Sequence, residues 1–461
     1  MTLPRHVFRE YDIRGVADRD LEDGFVRRVG LALGTTIARE RGEGAAARFA
    51  LGRDGRLSSP RIHAALVDGL LSAGVDIVDV GVGPTPMLYF AAHHLATDGA
   101  VQITGSHNPG EDNGLKMMRG KGSFFGADIT KLRDAMLGDL APAARRGTLS
   151  SRDVSDAYVA EVEKSATRPK KKLRVVVDAG NGAAGPLGVR TLTALGYEVD
   201  PLFCDIDGRF PHHHPDPTQP ENVEHLRRRV LETGAPLGIA WDGDGDRIGA
   251  VDERGEIIWG DKLMILFARA LLRERPGATI LGEVKCSETL FDEIRRAGGT
   301  ALYSKTGHSL IKTRMKQEGA LLAGEMSGHI FFADRWLGFD DAIYAAARLL
   351  EIVDGASAPL SALLADVAPT VATPELRVTC ADDVKFDVVR RVRDHFAATH
   401  DVLDIDGARV GFGDGAWGLC RASNTQPVLV MRFEAETPAQ LDEYKGIVED
   451  AVAAARAEVG G

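Results

Sequence analysis

Three aspartates in the stretch WDGDGDR could bind a metal ion, since Asp242, Asp244 and Asp246 alternate with glycines. Carboxylates this close repel one another unless a cation lies between them, and hard cations such as Mg²⁺ prefer oxygen ligands. The glycines allow the backbone to curl until the three side chains converge. Because the apolar residues LGIAW before this stretch predict a buried strand, we predict a magnesium site at the end of that strand. A solvated acidic turn is the alternative.

An EF-hand calcium loop is another way to use these carboxylates, because Glu253 is the twelfth residue counted from Asp242. Two features argue against it. Arg247 occupies the position at which an EF-hand needs glycine, and the flanking stretches LGIAW and RIGAVD predict strands, whereas an EF-hand needs helices.

Ser106 lies in a second loop, TGSHNPGEDNGLK. The loop lacks the G-x-S-x-G pattern of a hydrolase, because Thr104 stands in place of the first glycine, and the adjacent His107 is poorly placed to act as a base. If this loop meets the aspartate loop, the cation could hold an oxygen of a phosphate carried on Ser106. We therefore predict a phosphoryl donor. A glycine-rich turn with a capping serine is the alternative.

Two further loops carry groups suited to a sugar phosphate. In GEMSGH, Glu325, Ser327 and His329 occupy alternate positions, so in an extended segment they would face one side and could bind vicinal hydroxyls. By itself this stretch fits a structural turn equally well. RASNTQP combines an arginine, hydroxyls and an amide in a turn, which suits a phosphate cradle or a plain hairpin turn. The residues concerned are Arg421, Ser423, Asn424 and Thr425.

Two motifs suggest other functions and are interpreted as structural. GNGAAG, residues 180–185, matches the dinucleotide-binding pattern, with Asp200 near the position of a ribose-binding acid. The equivalent turns of the neighbouring segments, GRDGRLSS and GEVKCSE, lack these glycines, which favours a structural turn. PHHHPDP contains three consecutive histidines, His212, His213 and His214, whose side chains would point apart, so we predict a surface or domain-packing loop.

The elements that position these loops form an internal repeat. Three segments share the order strand, helix, strand and a buried strand that ends in a chemically loaded loop, which predicts βαβ units with a mostly parallel sheet in each. Ligands of such sheets bind beyond the carboxyl ends of the strands. After the proline-containing linker VAPTVATPE, a fourth segment predicts an antiparallel sheet with helices on one face. We expect domains at 1–150, 151–255, 256–368 and 369–461.

Composition limits the class of protein. A chain of 461 residues predicts three or four domains at roughly 100 to 200 residues each. The net charge of −11 disfavours nucleic-acid and membrane partners. The four cysteines form no CxxC pair, and no apolar run approaches the roughly 18 residues of a spanning helix, so we expect a cytoplasmic protein. An anionic small substrate would require a local basic cluster.

In combination, the motifs YDIRG, TGSHNP, DGDGDR, GEMSGH and RASNTQP resemble the α-D-phosphohexomutase family, in its bacterial phosphomannomutase/phosphoglucomutase branch. The resemblance extends over the whole chain, in the order of the family. It implies an α/β fold with three similar, mostly parallel α/β domains and a smaller α+β C-terminal domain around a central cleft. The motif GEMSGH resembles that of enzymes acting on hexose phosphates, whereas phosphoglucosamine mutases have GEQSGH.

The resemblance implies a mutase that interconverts the 1-phosphates and 6-phosphates of mannose and glucose. A phosphorylated Ser106 and a hexose 1,6-bisphosphate would be the intermediates, with one Mg²⁺ per chain and the bisphosphate as activator. Phosphoglucosamine mutase is the nearest alternative. An NAD-binding oxidoreductase and a non-catalytic phosphosugar- or metal-binding protein are alternatives of other classes. We expect hexose phosphates as ligands and a monomer or weak homodimer.

The resemblance also implies residue roles. Ser106 would join Asp242, Asp244 and Asp246 on the metal, and Arg247 would neutralise charge on the transferring group. Glu325 and Ser327 would bind the O3 and O4 hydroxyls, while Lys285 would contact sugar or phosphate. The distal phosphate would be bound by Tyr11, Arg14, Arg421, Ser423, Asn424 and Thr425. The candidates for general acid and base, with pKa values moved toward neutrality, are Lys116, His107, His308 and His329.

Arg14, Lys116, Arg247, Lys285 and Arg421 would together form the basic cluster that an anionic substrate requires.

Overall fold

The computed structural model describes residues 3–42, 46–424 and 426–460. The chain forms two compact units, the first made of Met1–Leu263 and Ser327–Leu363 and the second of Met264–Met326 and Leu364–Gly461. The predicted domains 1–150 and 151–255 lie in the first unit and 369–461 in the second, while 256–368 is shared between the two. The exact domain boundaries stay a prediction.

The first unit contains two mixed sheets. In the first sheet the strand order is β1-β5-β4-β2-β3-β7, with β6 paired to β5, and in the second it is β12-β11-β10-β8-β9. Strand β2 is parallel to β3 and β4, and β8 is parallel to β9 and β10. These strands are β1 Ile13–Val16, β2 Arg48–Arg53, β3 Asp76–Val82, β4 Gly99–Ile103, β5 Asp112–Arg119, β6 Gly122–Ser123, β7 Leu149–Ser151, β8 Arg174–Asp178, β9 Glu198–Leu202, β10 Leu237–Trp241, β11 Ile248–Asp252 and β12 Ile257–Ile258.

The second unit combines a parallel arrangement with an antiparallel sheet. Strand β13 is parallel to β14 and β15, and the antiparallel sheet has the order β17-β22-β21-β20-β19, with β18 also paired to β22. The strands of this unit are β13 Thr279–Glu283, β14 Thr300–Ser304, β15 Leu322–Gly324, β17 Val371–Ala372, β18 Leu376–Thr379, β19 Asp401–Leu403, β20 Ala408–Gly413, β21 Ala416–Ala422 and β22 Val428–Ala435. Strand β16, Ile330–Phe332, belongs to the first unit.

Helices follow the strands as the sequence repeat predicts. Those of the described residues are α1 Ala17–Asp20, α2 Asp23–Arg41, α3 Ser59–Ser72, α4 Thr85–His94, α5 Ala127–Leu137, α6 Ser155–Ser165, α7 Gly185–Leu195, α8 Glu224–Thr233, α9 Gly260–Glu274, α10 Glu288–Arg296, α11 His308–Glu318, α12 Ala342–Gly355, α13 Lys385–Ala397 and α14 Pro438–Val459. Short 3₁₀ helices cover Arg5–Val7, Pro220–Val223 and Leu360–Leu364. None of the helices in the described ranges is long and apolar enough to cross a membrane.

The predicted repeat is confirmed. Its three repeats are β2-α3-β3-α4-β4, β8-α7-β9-α8-β10 and β13-α10-β14-α11-β15, so each has a second helix before its last strand that the predicted order did not include. The last strands of the first two repeats, β4 and β10, are buried at every position because both of their faces are covered. The fourth segment is antiparallel as predicted, and its closing helix α14 starts with a capping box between Thr437 and Gln440.

The GNGAAG turn is structural, as predicted. Gly180 and Asn181 have left-handed φ values of 51° and 62°, and a Cβ on Gly185 would lie 2.1 Å from the Cys204 carbonyl oxygen. Asp200, the candidate for a ribose contact, forms an ion pair of 3.0 Å with Arg229. The glycines therefore permit a tight turn and close packing at the start of α7.

Candidate active site

The aspartate loop connects β10 to β11 and wraps around one carboxylate. Oδ1 of Asp242 accepts hydrogen bonds from the backbone N–H groups of Gly245, Asp246 and Arg247, at 3.0, 3.0 and 3.1 Å. Gly245 adopts a left-handed φ of 76°, which glycine permits. This curl brings one oxygen of each aspartate within 4.8 Å of the others, and all three residues are 0% exposed.

The electrostatics of the three aspartates fit a divalent cation. Burial and the neighbouring carboxylates raise the pKa of Asp242 well above its usual range and also raise that of Asp246. Oδ1 of Asp244 and Oδ1 of Asp246 are buried and accept no hydrogen bond from any described residue. A divalent cation would satisfy these oxygens and offset the mutual repulsion. Asp242, Asp244, Asp246 and Ser106 are the residues that would hold it.

Ser106 lies beside this group, on the loop that follows β4. It is 2% exposed, and its Oγ donates a hydrogen bond of 2.8 Å to Oδ2 of Asp242. Its backbone has a φ of 49°, and its N–H donates to Oγ1 of Thr104 at 2.8 Å. A left-handed serine is uncommon and persists only where its surroundings impose it. The structure thus brings together the two loops whose meeting the hypothesis of a phosphoryl donor required.

Lys116 on β5 neutralises part of the carboxylate charge. Its Nζ lies 2.7 Å from Oδ2 of Asp244 and also contacts Oδ2 of Asp246. Burial lowers the pKa of Lys116, but the three aspartates outweigh burial and raise it. Burial raises the pKa of Asp244. The charge of Lys116 and the hydrogen bonds from Lys116 and Thr85 outweigh burial and lower the pKa of this carboxyl. The expectation that the pKa of Lys116 moves toward neutrality is therefore wrong in this arrangement.

His107 is adjacent to the serine hydroxyl. Its Nδ1 lies 3.1 Å from Oγ of Ser106. Burial and then the charges of Arg247, Arg14 and Lys116 lower its pKa well below the usual value. The expectation of a pKa nearer neutrality is again wrong, and this imidazole is neutral at pH 7.

His329 joins Arg247 to a further carboxylate. Its Nε2 accepts a hydrogen bond of 3.0 Å from Nε of Arg247, and its Nδ1 lies 3.0 Å from Oδ2 of Asp340. Because Nε2 is the acceptor, the neutral ring carries its proton on Nδ1, facing the aspartate. Two contacts position this histidine: the carbonyl of Gly328 accepts from the N–H of Ile248 at 3.0 Å, and Asp340 bridges to Phe331 in β16.

The GEMSGH stretch differs from its predicted geometry. Residues 326–328 form a turn, and Gly328 has a φ of 92°, so Glu325, Ser327 and His329 are not three alternate positions of an extended strand. Glu325 belongs to the second unit, whereas Ser327 and His329 belong to the first. Oε1 of Glu325 accepts the N–H of Gly307 at 2.9 Å, and Ser327 is half-buried.

Arg14 contacts the loop that carries Ser106. Its Nη1 donates to Oδ1 of Asn108 at 2.7 Å, and its Nη2 pairs with Asp12 at 2.6 Å. Asn108 is two residues from Ser106, so Arg14 can also supply positive charge near the serine. Tyr11 is half-buried just before Arg14.

The second unit carries the remaining candidates. Nζ of Lys285 lies 3.0 Å from Oε2 of Glu375, and His308 begins α11 with its Nδ1 3.3 Å from Nζ of Lys312. Nε of Arg421 donates to Oδ2 of Asp406 at 2.9 Å, and the same oxygen accepts the N–H of Thr306 at 3.0 Å. Asp406 therefore ties the arginine of one loop to the loop that precedes His308.

The RASNTQP loop is described except for one residue. Ser423 is buried, and its Oγ accepts the N–H of Gln426 at 3.2 Å, which closes the turn. Asn424 lies in the bend beside it, and Thr425 lies outside the described residues. Lys285 follows β13 in the same unit. Burial lowers its pKa, but Glu283 and Glu375 outweigh burial and raise it, so this lysine is a cation at neutral pH.

Sequence reasoning missed several residues that contact the site. Thr85 donates to Asp244, Asp340 contacts His329, Asp406 binds Arg421, and Arg56 and His214 bind carbonyls of the Ser106 loop. His214 belongs to the histidine motif that was interpreted as a packing loop, and the others belong to no motif that the sequence analysis assigned to the site. Only contacts between distant parts of the chain identify them.

Comparison with known proteins gives concordant matches along the chain. Models of the phosphoglucomutase/phosphomannomutase α/β/α domains I, II and III match residues 5–137, 156–255 and 259–371, and that of the C-terminal domain matches 375–451. A phosphomannomutase/phosphoglucomutase of Pseudomonas putida is 46% identical over 96% of this chain and 95% of its own length. A phosphoglucomutase of Neisseria gonorrhoeae is 41% identical over 97% and 98%.

A solved structure is similar over nearly the whole fold. The crystal structure of a phosphoglucomutase/phosphomannomutase family protein from Burkholderia thailandensis superposes with a TM-score of 0.91 at 42% identity, covering 99% of this chain and 98% of that one. A structure titled as a phosphomannomutase of Thermus thermophilus shares the fold at 22% identity, with a TM-score of 0.79.

Proposed function

Because the chain belongs to the phosphoglucomutase/phosphomannomutase family, we propose that it interconverts the 1-phosphates and 6-phosphates of mannose and glucose. The family predicted from the motifs is confirmed. One contact carries the proposal: Oγ of Ser106 lies 2.8 Å from Oδ2 of Asp242, within a group of three fully buried carboxylates. Such a hydroxyl suits a phosphoryl carrier, because a phosphate there would share a cation with the aspartates.

Ser106 acts in its phosphorylated form. In the first transfer the bond between phosphorus and Oγ of Ser106 breaks and a bond from phosphorus to a sugar hydroxyl oxygen forms. A base takes the proton of that hydroxyl, and the released Oγ of Ser106 takes up a proton. The product is a hexose 1,6-bisphosphate. In the second transfer its other phosphoryl group returns to Oγ of Ser106, the serine hydroxyl gives up its proton to a base, and the released sugar oxygen takes up a proton. The bisphosphate also acts as activator, because it phosphorylates an unmodified Ser106.

Charge on the transferring group is balanced by this chain's own cations. Arg247, which is held by His329, and Arg14, which is held by Asp12 and Asn108, supply guanidinium donors near the loop. One Mg²⁺ per chain, bound to Ser106 and the aspartates, would act as a Lewis acid on a phosphoryl oxygen. Lys116 keeps the carboxylates paired before a cation binds.

Four side chains are candidates for the general acid and base of the phosphoryl transfers. His107, His308, His329 and Lys116 are the candidates, and His107 lies 3.1 Å from Oγ of Ser106 as a neutral ring that can accept a proton. His329 is committed to Arg247 through Nε2, which supports a role in orienting that arginine. Single replacements and pH–rate profiles will assign the acid and the base.

Substrate recognition is assigned to the remaining residues. Glu325 and Ser327 bind the O3 and O4 hydroxyls, and Lys285 contacts sugar or phosphate. The distal phosphate is bound by Arg421, Ser423, Asn424 and Thr425, with Tyr11 as a helper. Asp406 orients Arg421 through the 2.9 Å hydrogen bond from Nε, and a planar guanidinium suits a phosphate because it can donate two parallel hydrogen bonds. A substrate that reacts in two opposed orientations needs a fixed phosphate clamp and sugar contacts that accept both.

The experiment uses the intact protein and its mass. Incubation with glucose 1,6-bisphosphate should add one phosphoryl group, and peptide mapping should locate it on Ser106. Ser106→Ala should remain folded but lose both the modification and the turnover of mannose 1-phosphate and glucose 1-phosphate. Ser151→Ala, at an exposed serine, is the matched control. A wild-type protein that neither gains the group nor turns over a hexose phosphate would refute the proposal.

Two further properties are part of the proposal. We infer action on small hexose phosphates as a monomer or weak homodimer in the cytoplasm, which the net charge of −11 supports against nucleic-acid or membrane binding. Light scattering of the purified protein tests the assembly. Comparison of kcat/KM for mannose, glucose and glucosamine 1-phosphates tests the substrate, and a preference for glucosamine 1-phosphate would contradict it.

A further inference from the structure

The histidine-rich segment predicted to be a packing loop has contacts that its sequence does not explain. We call residues 210–216 the histidine brace; it follows β9 in the first unit. Nε2 of His213 lies 3.0 Å from both carboxylate oxygens of Asp178, at the end of β8, and Nδ1 of His212 lies 2.7 Å from Oδ1 of Asn181. These contacts anchor the brace to the second sheet.

The far end of the brace contacts both loops of the active site. Nε2 of His214 donates a hydrogen bond to the carbonyl oxygen of His107, in the Ser106 loop. The carbonyl of the next residue, Pro215, accepts the N–H of Gly243 in the aspartate loop at 3.1 Å. Two consecutive residues therefore connect the loop of the phosphoryl carrier to the loop of the metal ligands.

Arg56 also binds the backbone of the Ser106 loop. It is 1% exposed; its Nη2 donates to the carbonyls of Ser106 and Asn108, both at 2.7 Å, and its Nη1 donates to those of Pro109 at 2.5 Å and Asp112 at 2.9 Å. The Phe210 ring of the brace lies over its guanidinium, 5.3 Å from Cζ. The carbonyls of four consecutive residues, 106 to 109, are thus all bound by Arg56 or His214.

These hydrogen bonds from Arg56 and His214 explain why Ser106 keeps its left-handed backbone conformation. A left-handed φ of 49° is unfavourable for a serine, so contacts must impose it. Bound carbonyls on the serine and its three successors fix the orientation of these peptide planes. The loops are also in direct contact, since a Cβ on Gly243 would lie only 2.3 Å from the carbonyl oxygen of Ser106.

We propose that Arg56 and His214 are positioning residues for phosphoryl transfer, which hold Oγ of Ser106 in register with the aspartate loop. The inference rests on the proposed function. Neither side chain need touch substrate, because each acts through the backbone of the Ser106 loop. A small misplacement of a reacting group costs up to about 100-fold in rate. Removing the hydrogen bonds from Arg56 or His214 to the Ser106 loop should therefore lower kcat. Substrate affinity depends on other residues and should change little.

The test compares replacements of His214 in the full-length protein. His214→Ala removes the donor, whereas His214→Gln places an amide N–H at nearly the same reach as Nε2. His395→Ala, at an exposed histidine of α13, is the control. With glucose 1-phosphate and the bisphosphate activator, we expect kcat of His214→Ala to fall about 10- to 100-fold. We expect KM to change less than about twofold, His214→Gln to recover most of kcat, and the control to match wild type.

A second variant covers the case in which His214→Ala fails to fold. Arg56→Lys keeps a buried cation beside Asp54, but a single ammonium cannot serve four carbonyls, so it should show the same loss of kcat at similar KM. Turnover that is unaffected by both variants would overturn the positioning role. A loss that His214→Gln shares fully, or that raises KM as much as it lowers kcat, would also overturn it. Failure of the wild-type protein to turn over any hexose phosphate would instead refute the proposed function and, with it, this inference.

Discussion

Replacing Lys116 with methionine removes a positive charge from the three buried carboxylates and keeps much of the side-chain volume. Lys116 is 3% exposed, and its Nζ contacts both Asp244 and Asp246. Removing one partner of a buried ion pair costs about 3–5 kcal/mol, because the other charge remains buried and uncompensated. The packing change from lysine to methionine is small by comparison, below about 1.5 kcal/mol. We therefore expect a loss of about 3–5 kcal/mol in the free energy of unfolding without metal.

Two dependences distinguish this electrostatic loss from a packing defect. Mg²⁺ should restore much of the stability of the variant and should stabilise it more than wild type, because the cation replaces the missing charge. The pKa values of Asp242 and Asp246 are raised in the folded protein, and the Lys116 charge opposes both shifts. In its absence the folded state binds more protons than the unfolded state as these groups titrate, so the stability of the variant should rise as the pH falls from 8 toward 5.

The assay is urea unfolding followed by tryptophan fluorescence, in EDTA and in Mg²⁺, at several pH values. Trp241 is buried directly before Asp242 and reports on this loop. Lys121→Met, at an exposed lysine in the turn after β5, is the matched control and should leave the midpoint unchanged. A loss in Lys116→Met that depends on neither pH nor Mg²⁺, or no loss in EDTA, would refute the electrostatic account.

Two other replacements test backbone and charge. Gly328→Ala should lower the urea midpoint of unfolding, because the φ of Gly328 is 92° and the new Cβ would lie 2.3 Å from the carbonyl oxygen of Ile248. Gly446→Ala, in open space within α14, should stabilise the protein by about 0.5–1 kcal/mol. A Gly328→Ala protein more stable than Gly446→Ala would contradict this reasoning. Lys285 lowers the pKa of Glu375 to about 2, so their pair stabilises the protein above the unfolded pKa of about 4.5, and this contribution is lost as the pH falls toward 2. Glu375→Gln should therefore cost at most about 3 kcal/mol at pH 7 and little near pH 2, and equal losses at both pH values would exclude the ion pair as the cause.

The predictions that held depend on local patterns. Strands such as LGIAW and the repeat of strand, helix, strand and loaded loop follow from hydrophobic runs and turn residues within a few tens of positions. The hypothesis of a phosphoryl donor required Ser106 to meet the aspartate loop, and the structure shows this contact between loops that follow strands of two different sheets. The family followed from five motifs whose order extends along the whole chain.

The predictions that failed concern directions and charges. GEMSGH forms a turn with a left-handed Gly328, so alternation did not describe it. The pKa of Lys116 rises because three carboxylates outweigh its burial, and the pKa of His107 falls because burial and three cations act together. Each outcome depends on neighbours that are distant in sequence.

The sequence by itself determined the repeated elements, the loops that carry chemistry and the family, because turn residues, apolar periodicity and side-chain types act over short stretches of chain. Only the tertiary structure decided that Arg56 and His214 bind five carbonyls of the Ser106 loop, and that His329 accepts a hydrogen bond from Arg247. Those roles depend on hydrogen-bond geometry and on summed charge in a buried site. Both are set by contacts between residues dozens to hundreds of positions apart, which no local pattern encodes.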